Sequence, residues 1–138
     1  MARAVLDSSA ILAVLRSEPG AEQVEEVMAD SLVSVINETE VISKLIWRGE
    51  TWARAQEIVA SLPYQSVDVD RRQAWRAAAL WEITRAQGLS LGDRCCLALA
   101  EREKVPVLTM DKIWGEVSIG VEIRLIERRG RNQGIETK

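Results

Sequence analysis

The chain has 138 residues, 47% of them apolar and 28% charged, with a formal net charge of −3 at pH 7. It contains no histidine, which excludes histidine acid–base ribonuclease chemistry, Ser-His-Asp triads and histidine-ligated zinc. The acidic balance argues against binding nucleic acid through bulk positive charge, although bound metal ions can supply positive charge locally.

The sequence also indicates a soluble protein of a reducing compartment. No stretch approaches 18 consecutive apolar residues, and Asp7 comes too early for the apolar region of a signal peptide. Cys95 and Cys96 are adjacent, so they cannot close a long loop as a disulfide and are expected to pack inside a helix. We therefore expect a cytoplasmic protein without a membrane segment.

Apolar runs alternate with segments of helical periodicity along the chain. Short apolar runs predict five strands, at residues 2–6, 32–36, 64–69, 105–108 and 121–126. Helical spacing, with glycine or proline near the ends, predicts helices at residues 7–16, 21–28, 37–48, 52–62, 71–87 and 90–104 and a short helix at 111–115. This alternation predicts one α/β domain, residues 1–126, with a parallel sheet covered on both faces, and a polar, flexible tail, residues 127–138.

Four acidic residues stand where the predicted strands and helices meet. Asp7 and Asp111 directly follow strands, and Glu40 lies in the segment after the second strand. Asp93 opens the helix before the fourth strand, and that helix runs antiparallel to its strand. Because the carboxyl ends of parallel strands and the amino ends of such helices share one edge of the sheet, we expect the four acids to converge there.

Helix capping is the alternative explanation for each acid taken alone. Asp7 and Asp111 are good N-cap residues, and residues 37–40 and 90–93 both have the spacing of a capping box. The occurrence of all four acids at one predicted edge favours a site. Converging carboxylates repel one another unless a cation lies between them, and Mg²⁺ favours oxygen ligands, so the pattern indicates a divalent metal and phosphodiester chemistry.

Four stretches match, in order and approximate spacing, the motifs of a known family: residues 5–10 (VLDSSA), 36–41 (INETEV), 89–94 (LSLGDR) and 107–111 (VLTMD). The chain resembles the PIN-domain ribonucleases over about residues 5–126, and most closely the VapC-like toxins of type II toxin–antitoxin systems. One such motif would be common, whereas four in order are specific.

The resemblance implies a three-layer αβα sandwich with a five-stranded parallel sheet. It implies a Mg²⁺- or Mn²⁺-dependent endoribonuclease in which a metal-activated water cleaves RNA, neutralised by a VapB-like antitoxin, and a homodimer. Asp7 and Asp93 match the main metal ligands of the family, and Glu40 and Asp111 match its other acids. Supporting polar positions are Ser8, Asn37 and Thr109, although Ser8 and Thr109 fit simple helix capping equally well.

Basic and aromatic residues have more than one interpretation. Arg94 lies beside Asp93 and is a candidate for binding a substrate phosphate. Trp47 and Trp52 flank the helix break at Gly49 and could line a groove for an antitoxin helix, although core packing is expected for most of the five tryptophans.

Two other functions fit parts of the pattern. A non-catalytic protein of the same fold would act as a binding module, and the four intact acids argue against it. A receiver-like signalling domain also has an acidic pocket in a doubly wound sheet, but the position of Asp93 at a helix start disfavours that class.

Overall fold

The computed structural model describes residues 1–128 and contains one parallel sheet with the strand order β3-β2-β1-β4-β5. The five predicted strands are present, each shorter than the apolar run that predicts it. They are β1 (Ala4–Leu6), β2 (Ser31–Ser34), β3 (Gln65–Val67), β4 (Val107–Thr109) and β5 (Ile123–Leu125). The predicted tail from residue 129 onward lies outside the described residues, and the boundary at residue 126 stays a prediction.

Helices connect the strands in the described part of the chain. They are α1 (Ser8–Leu15), α2 (Ala21–Met28), α3 (Val35–Trp47), α4 (Trp52–Ala60), α5 (Arg71–Ala79), α6 (Trp81–Thr84) and α7 (Leu91–Glu103). Two 3₁₀ turns, Arg85–Gln87 and Lys112–Glu116, complete the connections.

Two buried clusters lie on opposite faces of the sheet, so the fold has three layers. Successive residues of a strand face opposite sides, and accordingly Leu6 packs in the cluster that contains Ile11 while Val5 packs in the one that contains Leu97. Helices α1 to α4 contribute to the first cluster and α5 and α7 to the second. The predicted αβα sandwich with five parallel strands is confirmed.

Helix α3 begins two residues earlier than predicted. Ser34 is its N-cap, with Oγ accepting a hydrogen bond from Ile36 N at 3.3 Å. Asn37 and Glu40 therefore lie inside the helix, and the interpretation of residues 37–40 as a capping box is wrong. The strand ends early because its last residue, Ser34, is a better helix cap than strand former.

The predicted helix 71–87 is interrupted at Leu80. In a continuous helix the Ala77 carbonyl would accept the Trp81 N–H, but it accepts a hydrogen bond from the Arg94 guanidinium at 2.9 Å. Thr84 Oγ1 also donates to the Leu80 carbonyl at 2.8 Å, a contact that bends helices. The chain then passes through a 3₁₀ turn, and this turn ends at Gly88 with φ 66°, as the glycine predicts.

The central position of β1 determines where a site can form. It pairs with β2 on one side and with β4 on the other, so the carboxyl ends of all three strands are neighbours. Cys95 and Cys96 are both buried and unpaired in α7. No helix within residues 1–128 is both long and apolar enough to cross a lipid bilayer.

Candidate active site

Asp7 follows β1 and is the most buried acid of the described residues, with 3% of its surface exposed. It caps α1, because Oδ1 accepts a hydrogen bond from Ala10 N at 2.9 Å. Oδ1 also accepts from Ser9 Oγ at 2.7 Å, and Oδ2 accepts from Thr109 Oγ1 at 2.5 Å. Asp7 is therefore both a helix cap and a carboxylate fixed at the centre of the sheet edge.

Burial raises the pKa of Asp7 to about 6, against an ordinary 3.8. Removing a carboxylate from water disfavours its charged form, and this desolvation is the largest cause. The hydrogen bonds from Thr109, Ser9 and Ala10 lower the pKa, while the negative charge of Asp93 raises it. Asp7 and Asp93 thus repel each other across the site.

Thr109 and Ser9 connect Asp7 to the end of β4. Thr109 Oγ1 accepts a hydrogen bond from Asp111 N at 3.0 Å, and Ser9 Oγ accepts one from Met110 N at 2.9 Å. Asp111 is exposed and caps the following 3₁₀ turn, because its Oδ1 accepts from Ile113 N at 3.1 Å. These contacts tie the loop after β4 to the start of α1.

The hydroxyl that contacts Asp7 belongs to Ser9, which was not among the predicted site residues. The predicted supporting residue Ser8 is half-buried and makes no side-chain hydrogen bond with residues 1–128. The sequence pattern could have indicated Ser9. It lies two positions after the N-cap Asp7, in the first turn of α1, where its side chain can reach the side chain of the N-cap residue.

Asn37 holds Glu40 against α7. Its Nδ2 donates to Glu40 Oε1 at 3.0 Å and to the Gly92 carbonyl at 3.1 Å. Asn37 is fully buried, and its Oδ1 has no hydrogen-bond partner among residues 1–128. A buried amide oxygen without a donor is costly in a folded protein, so the two hydrogen bonds that Nδ2 donates are what hold Asn37 in this position.

Gly92 is required for this arrangement. A β-carbon at this position would lie 2.6 Å from Glu40 Cδ and 2.7 Å from Oε1, closer than real contacts allow. The glycine of the LSLGD motif therefore makes room for the Glu40 carboxylate beside the amino end of α7. The motif alone indicates no role for this glycine, because Glu40 is distant in sequence.

Asp93 forms a capping box with Ser90, as its spacing predicts. Its Oδ2 accepts from Ser90 N at 2.9 Å, and Ser90 Oγ accepts from Asp93 N at 3.2 Å. The pKa of Asp93 is nevertheless raised, first by burial, with a further contribution from the negative charge of Asp111. Asp93 therefore interacts electrostatically with Asp7 on one side and Asp111 on the other.

The buried thiol of Cys96 in α7 lies near several of these acids. The pKa of Cys96 is raised well above its ordinary value, first by burial and then by surrounding negative charges. Three of those charges belong to Asp7, Asp93 and Glu40. The fold thus places Asp7, Asp93 and Glu40 near Cys96 at one edge of the sheet, with Asp111 close enough to Asp93 to raise its pKa.

The donors suit a hard divalent cation, although the side chains are not gathered into a closed cage. Among residues 1–128, no group of three or more His, Cys, Asp or Glu side chains lies close enough together to hold a metal. Mg²⁺ retains several waters and binds through one or two carboxylates together with substrate phosphates. Asp7 and Asp93 fit that mode of binding, with Glu40 held beside the amino end of α7.

Arg94 is directed toward α5 and α6. Its guanidinium donates to the Ala77 carbonyl and lies over the Trp81 ring at 5.2 Å from the centroid. Its Nε is buried without a partner among the described residues. These contacts stabilise the interruption between α5 and α6. They also direct the Arg94 guanidinium away from the position expected for the main phosphate ligand.

The chain belongs to the PIN domain family, whose model matches residues 4–120. No curated protein matches it in sequence.

Solved structures share its fold at low sequence identity. A DNA-bound VapBC complex from Salmonella typhimurium aligns with a TM-score of 0.72 at 16% identity, covering 92% of this chain and 100% of that chain. A toxin–antitoxin complex from Klebsiella pneumoniae aligns with a TM-score of 0.64 at 20% identity, covering 87% and 99%. A sarcin–ricin-loop-cleaving VapC toxin from Mycobacterium tuberculosis aligns with a TM-score of 0.66 at 13% identity, covering 86% and 98%. The protein is thus a PIN-domain protein with the fold of VapC toxins.

Proposed function

We propose that the protein is a metal-dependent endoribonuclease toxin of the VapC type, which hydrolyses RNA phosphodiester bonds. The observation that carries the proposal is the buried Asp7, fixed by Thr109 and Ser9 and coupled by charge to Asp93. A buried carboxylate with a raised pKa next to a second carboxylate is unfavourable in the free protein, and a bound cation relieves the repulsion.

Each residue of the site has a part in this proposal. Asp7 and Asp93 would hold Mg²⁺ or Mn²⁺, while Glu40 and Asp111 would bind a second ion or orient the attacking water. Asn37 keeps Glu40 in place, and Thr109 and Ser9 fix both oxygens of Asp7. A bound divalent metal supplies Lewis acidity toward phosphate oxygens and lowers the pKa of a coordinated water.

The products follow from the nucleophile. Because water rather than the ribose 2′-hydroxyl attacks, cleavage leaves 5′-phosphate and 3′-hydroxyl ends. The absence of histidine from the chain agrees with this route, because 2′-hydroxyl attack in ribonucleases commonly uses histidine acid–base catalysis.

The activity is tested with purified protein and RNA in Mn²⁺, in EDTA and with Asp93→Asn. We expect cleavage in Mn²⁺ only, and a loss of at least about 100-fold in the variant. Asp70→Asn is the control for changing a helix-capping aspartate, because Asp70 is the N-cap of α5, accepting from Gln73 N at 2.8 Å outside the acidic edge. Metal-independent cutting that survives Asp93→Asn would refute the mechanism.

Metal binding has a readout that needs no activity. A ligand that binds only the folded state raises the melting temperature, so Mn²⁺ is expected to stabilise the wild-type protein against heating. The shift should shrink strongly in Asp7→Asn and Asp93→Asn and persist in Asp70→Asn. An equal shift in all four proteins would show that the ion binds elsewhere.

An antitoxin partner and a homodimer belong to the same proposal. Several structures with this fold are toxin–antitoxin complexes. In this chain Trp47 is 78% exposed and Trp52 59% exposed, on either side of the α3–α4 turn, and large exposed apolar side chains mark interaction surfaces. Co-expression with a neighbouring short gene, followed by mass measurement of the purified species, tests both assemblies.

The two alternative functions, a receiver-like signalling domain and a non-catalytic binding module, are separated from the nuclease by the family assignment and by the cleavage assay. The PIN family assignment leaves nothing that favours a receiver-like signalling domain. A non-catalytic binding module of this fold would bind a partner without cleaving RNA under any metal condition, so the cleavage assay separates it from the toxin.

A further inference from the structure

An open groove of about 390 Å³ lies beside the acidic edge. It lies between the loop after β4 and the segment that follows β5. Its lining residues are Ser9, Met110, Asp111, Lys112 and Arg128.

The groove is continuous with the candidate active site. Ser9 lines it and donates a hydrogen bond to Asp7 Oδ1 at 2.7 Å. Asp111 lines it and influences the pKa of Asp93 through its charge. A chain that occupies the groove therefore contacts Asp111 and is separated from Asp7 by the Ser9 side chain.

Two basic side chains face this groove next to the acids. Lys112 is exposed and forms no salt bridge with any residue of 1–128. The Arg128 side chain is 55% exposed, and one of its nitrogens lies 2.9 Å from Glu18 Oε1. A guanidinium has five N–H donors, so the remaining ones can bind a second anion.

The backbone that carries Arg128 is held in place by packing. Ile126 N donates to the Thr109 carbonyl at 2.8 Å, which extends the pairing beyond β5. Gly20, with φ 93°, lies so close to this segment that a β-carbon there would meet Ile126 Cγ2 at 2.9 Å and also overlap the Glu127 carbonyl. The backbone just before Arg128 is thus held beside the groove, although Arg128 lies far from Asp111 in sequence.

We propose that this groove is the path of an RNA strand, with Lys112 and Arg128 binding the phosphates next to the one that is cleaved. The inference rests on the proposed nuclease function. A chain of net charge −3 with carboxylates at its site repels RNA overall, so local cations have to hold the backbone. Arg94, the other basic candidate, is engaged with Ala77 and Trp81.

The test measures binding of a fluorescein-labelled single-stranded RNA in EDTA over a series of salt concentrations. Gel analysis of the recovered RNA verifies that it stays intact. Lys112→Gln and Arg128→Gln are compared with Lys104→Gln as the control. Lys104→Gln also removes one positive charge, but Lys104 is the C-cap of α7, whereas Asp93 lies at the amino end of that helix. All three side chains are exposed, so melting temperatures by circular dichroism should agree.

Removing one cation that binds a phosphate of single-stranded RNA reduces the slope of log K against log salt by about 0.7. We expect that reduction in Lys112→Gln and Arg128→Gln, with severalfold weaker binding, and about twice the reduction in the double variant. Lys104→Gln should match the wild type. Unchanged slopes in the two groove variants, or no measurable RNA binding by the wild type, would overturn the proposal.

Kinetics separates this inference from the proposed function. In Mn²⁺ the groove variants should raise KM severalfold with kcat nearly unchanged, because Lys112 and Arg128 bind the RNA equally in the ground state and the transition state. Cleavage with wild-type KM in both variants would overturn the groove and leave the nuclease intact. A slope change without any cleavage by the wild type would overturn the nuclease and leave the groove as an RNA-binding surface.

Discussion

Gly92 and Glu40 are complementary in shape: the glycine leaves the space that the carboxylate occupies. This relationship links α7, which carries Asp93, to α3, which carries Glu40. It explains why an arrangement of acids on separate helices can depend on a residue without a side chain.

Gly92→Ala should therefore impair activity more than stability. The added methyl group has to displace the Glu40 carboxylate, and a misplacement of about 1 Å in an active site can cost about 100-fold in rate. We expect kcat/KM to fall by about 10–100-fold, with folding checked by circular dichroism. Leu91→Ala, an exposed neighbour in the same turn, is the control. Equal activity in both variants would remove Glu40 from the mechanism.

Asp7 makes the metal-free protein less stable as pH rises from about 4 to 6. Its pKa is about 6 when folded and 3.8 ordinarily, so the folded state binds the proton more tightly and loses that advantage as pH rises through the folded pKa. The shift corresponds to on the order of 3 kcal/mol at neutral pH. Without histidine in the chain, carboxylates dominate this window.

Asp7→Asn removes this titration. Urea unfolding in EDTA at several pH values should show equal or higher stability than the wild type at pH 7, and a weaker decline between about pH 4 and 6. Asp70→Asn should retain the wild-type decline. An Asp7→Asn protein that is clearly less stable at pH 7 would mean that capping and hydrogen bonding outweigh the cost of the buried charge.

Ser9 and Ser8 form a matched pair for testing the hydroxyl contact. Ser9→Ala removes a hydrogen bond to the ionised form of Asp7, which should raise the Asp7 pKa further and shift the acid limb of the activity profile to higher pH. A hydrogen bond to a charged group contributes about 1.5–3 kcal/mol. Ser8→Ala should behave as the wild type. If the acid limb shifted in Ser8→Ala and not in Ser9→Ala, Ser8 rather than Ser9 would be the residue that contacts Asp7.

Arg94→Lys distinguishes a structural arginine from a substrate ligand. Lysine keeps the charge but does not reproduce the hydrogen bond to Ala77 or the stacking on Trp81. We expect the unfolding free energy to fall by about 1–2 kcal/mol, with RNA affinity and its salt dependence unchanged. Weaker RNA binding at wild-type stability would return Arg94 to the phosphate-binding role.

The sequence carried enough information to predict the sheet and the edge where the acids lie. Strand and helix patterns are local, and parallel topology then brings Asp7 and Asp111 to neighbouring strand ends. The contacts of Ser9 with Met110 and of Asn37 with Gly92 join residues 101 and 55 positions apart. Such pairs are set by packing geometry, which no local pattern encodes.

The exposure of the tryptophans could not be predicted from their hydrophobicity alone. Core packing was expected for most of the five, but only Trp114 is buried. In α5 the buried positions are Gln73 and Ala77, four residues apart, with Leu80 following at the next turn. Trp75 falls between them on the outer face, so helical spacing decided its exposure.

Four of the five indole side chains are exposed, and this determines what their fluorescence can report about the protein. Their fluorescence should change little when the chain unfolds, because most of the tryptophan side chains are already exposed in the folded protein. The same rings will respond strongly to any macromolecule that covers them, so the emission spectrum is a poor measure of folding and a sensitive detector of assembly.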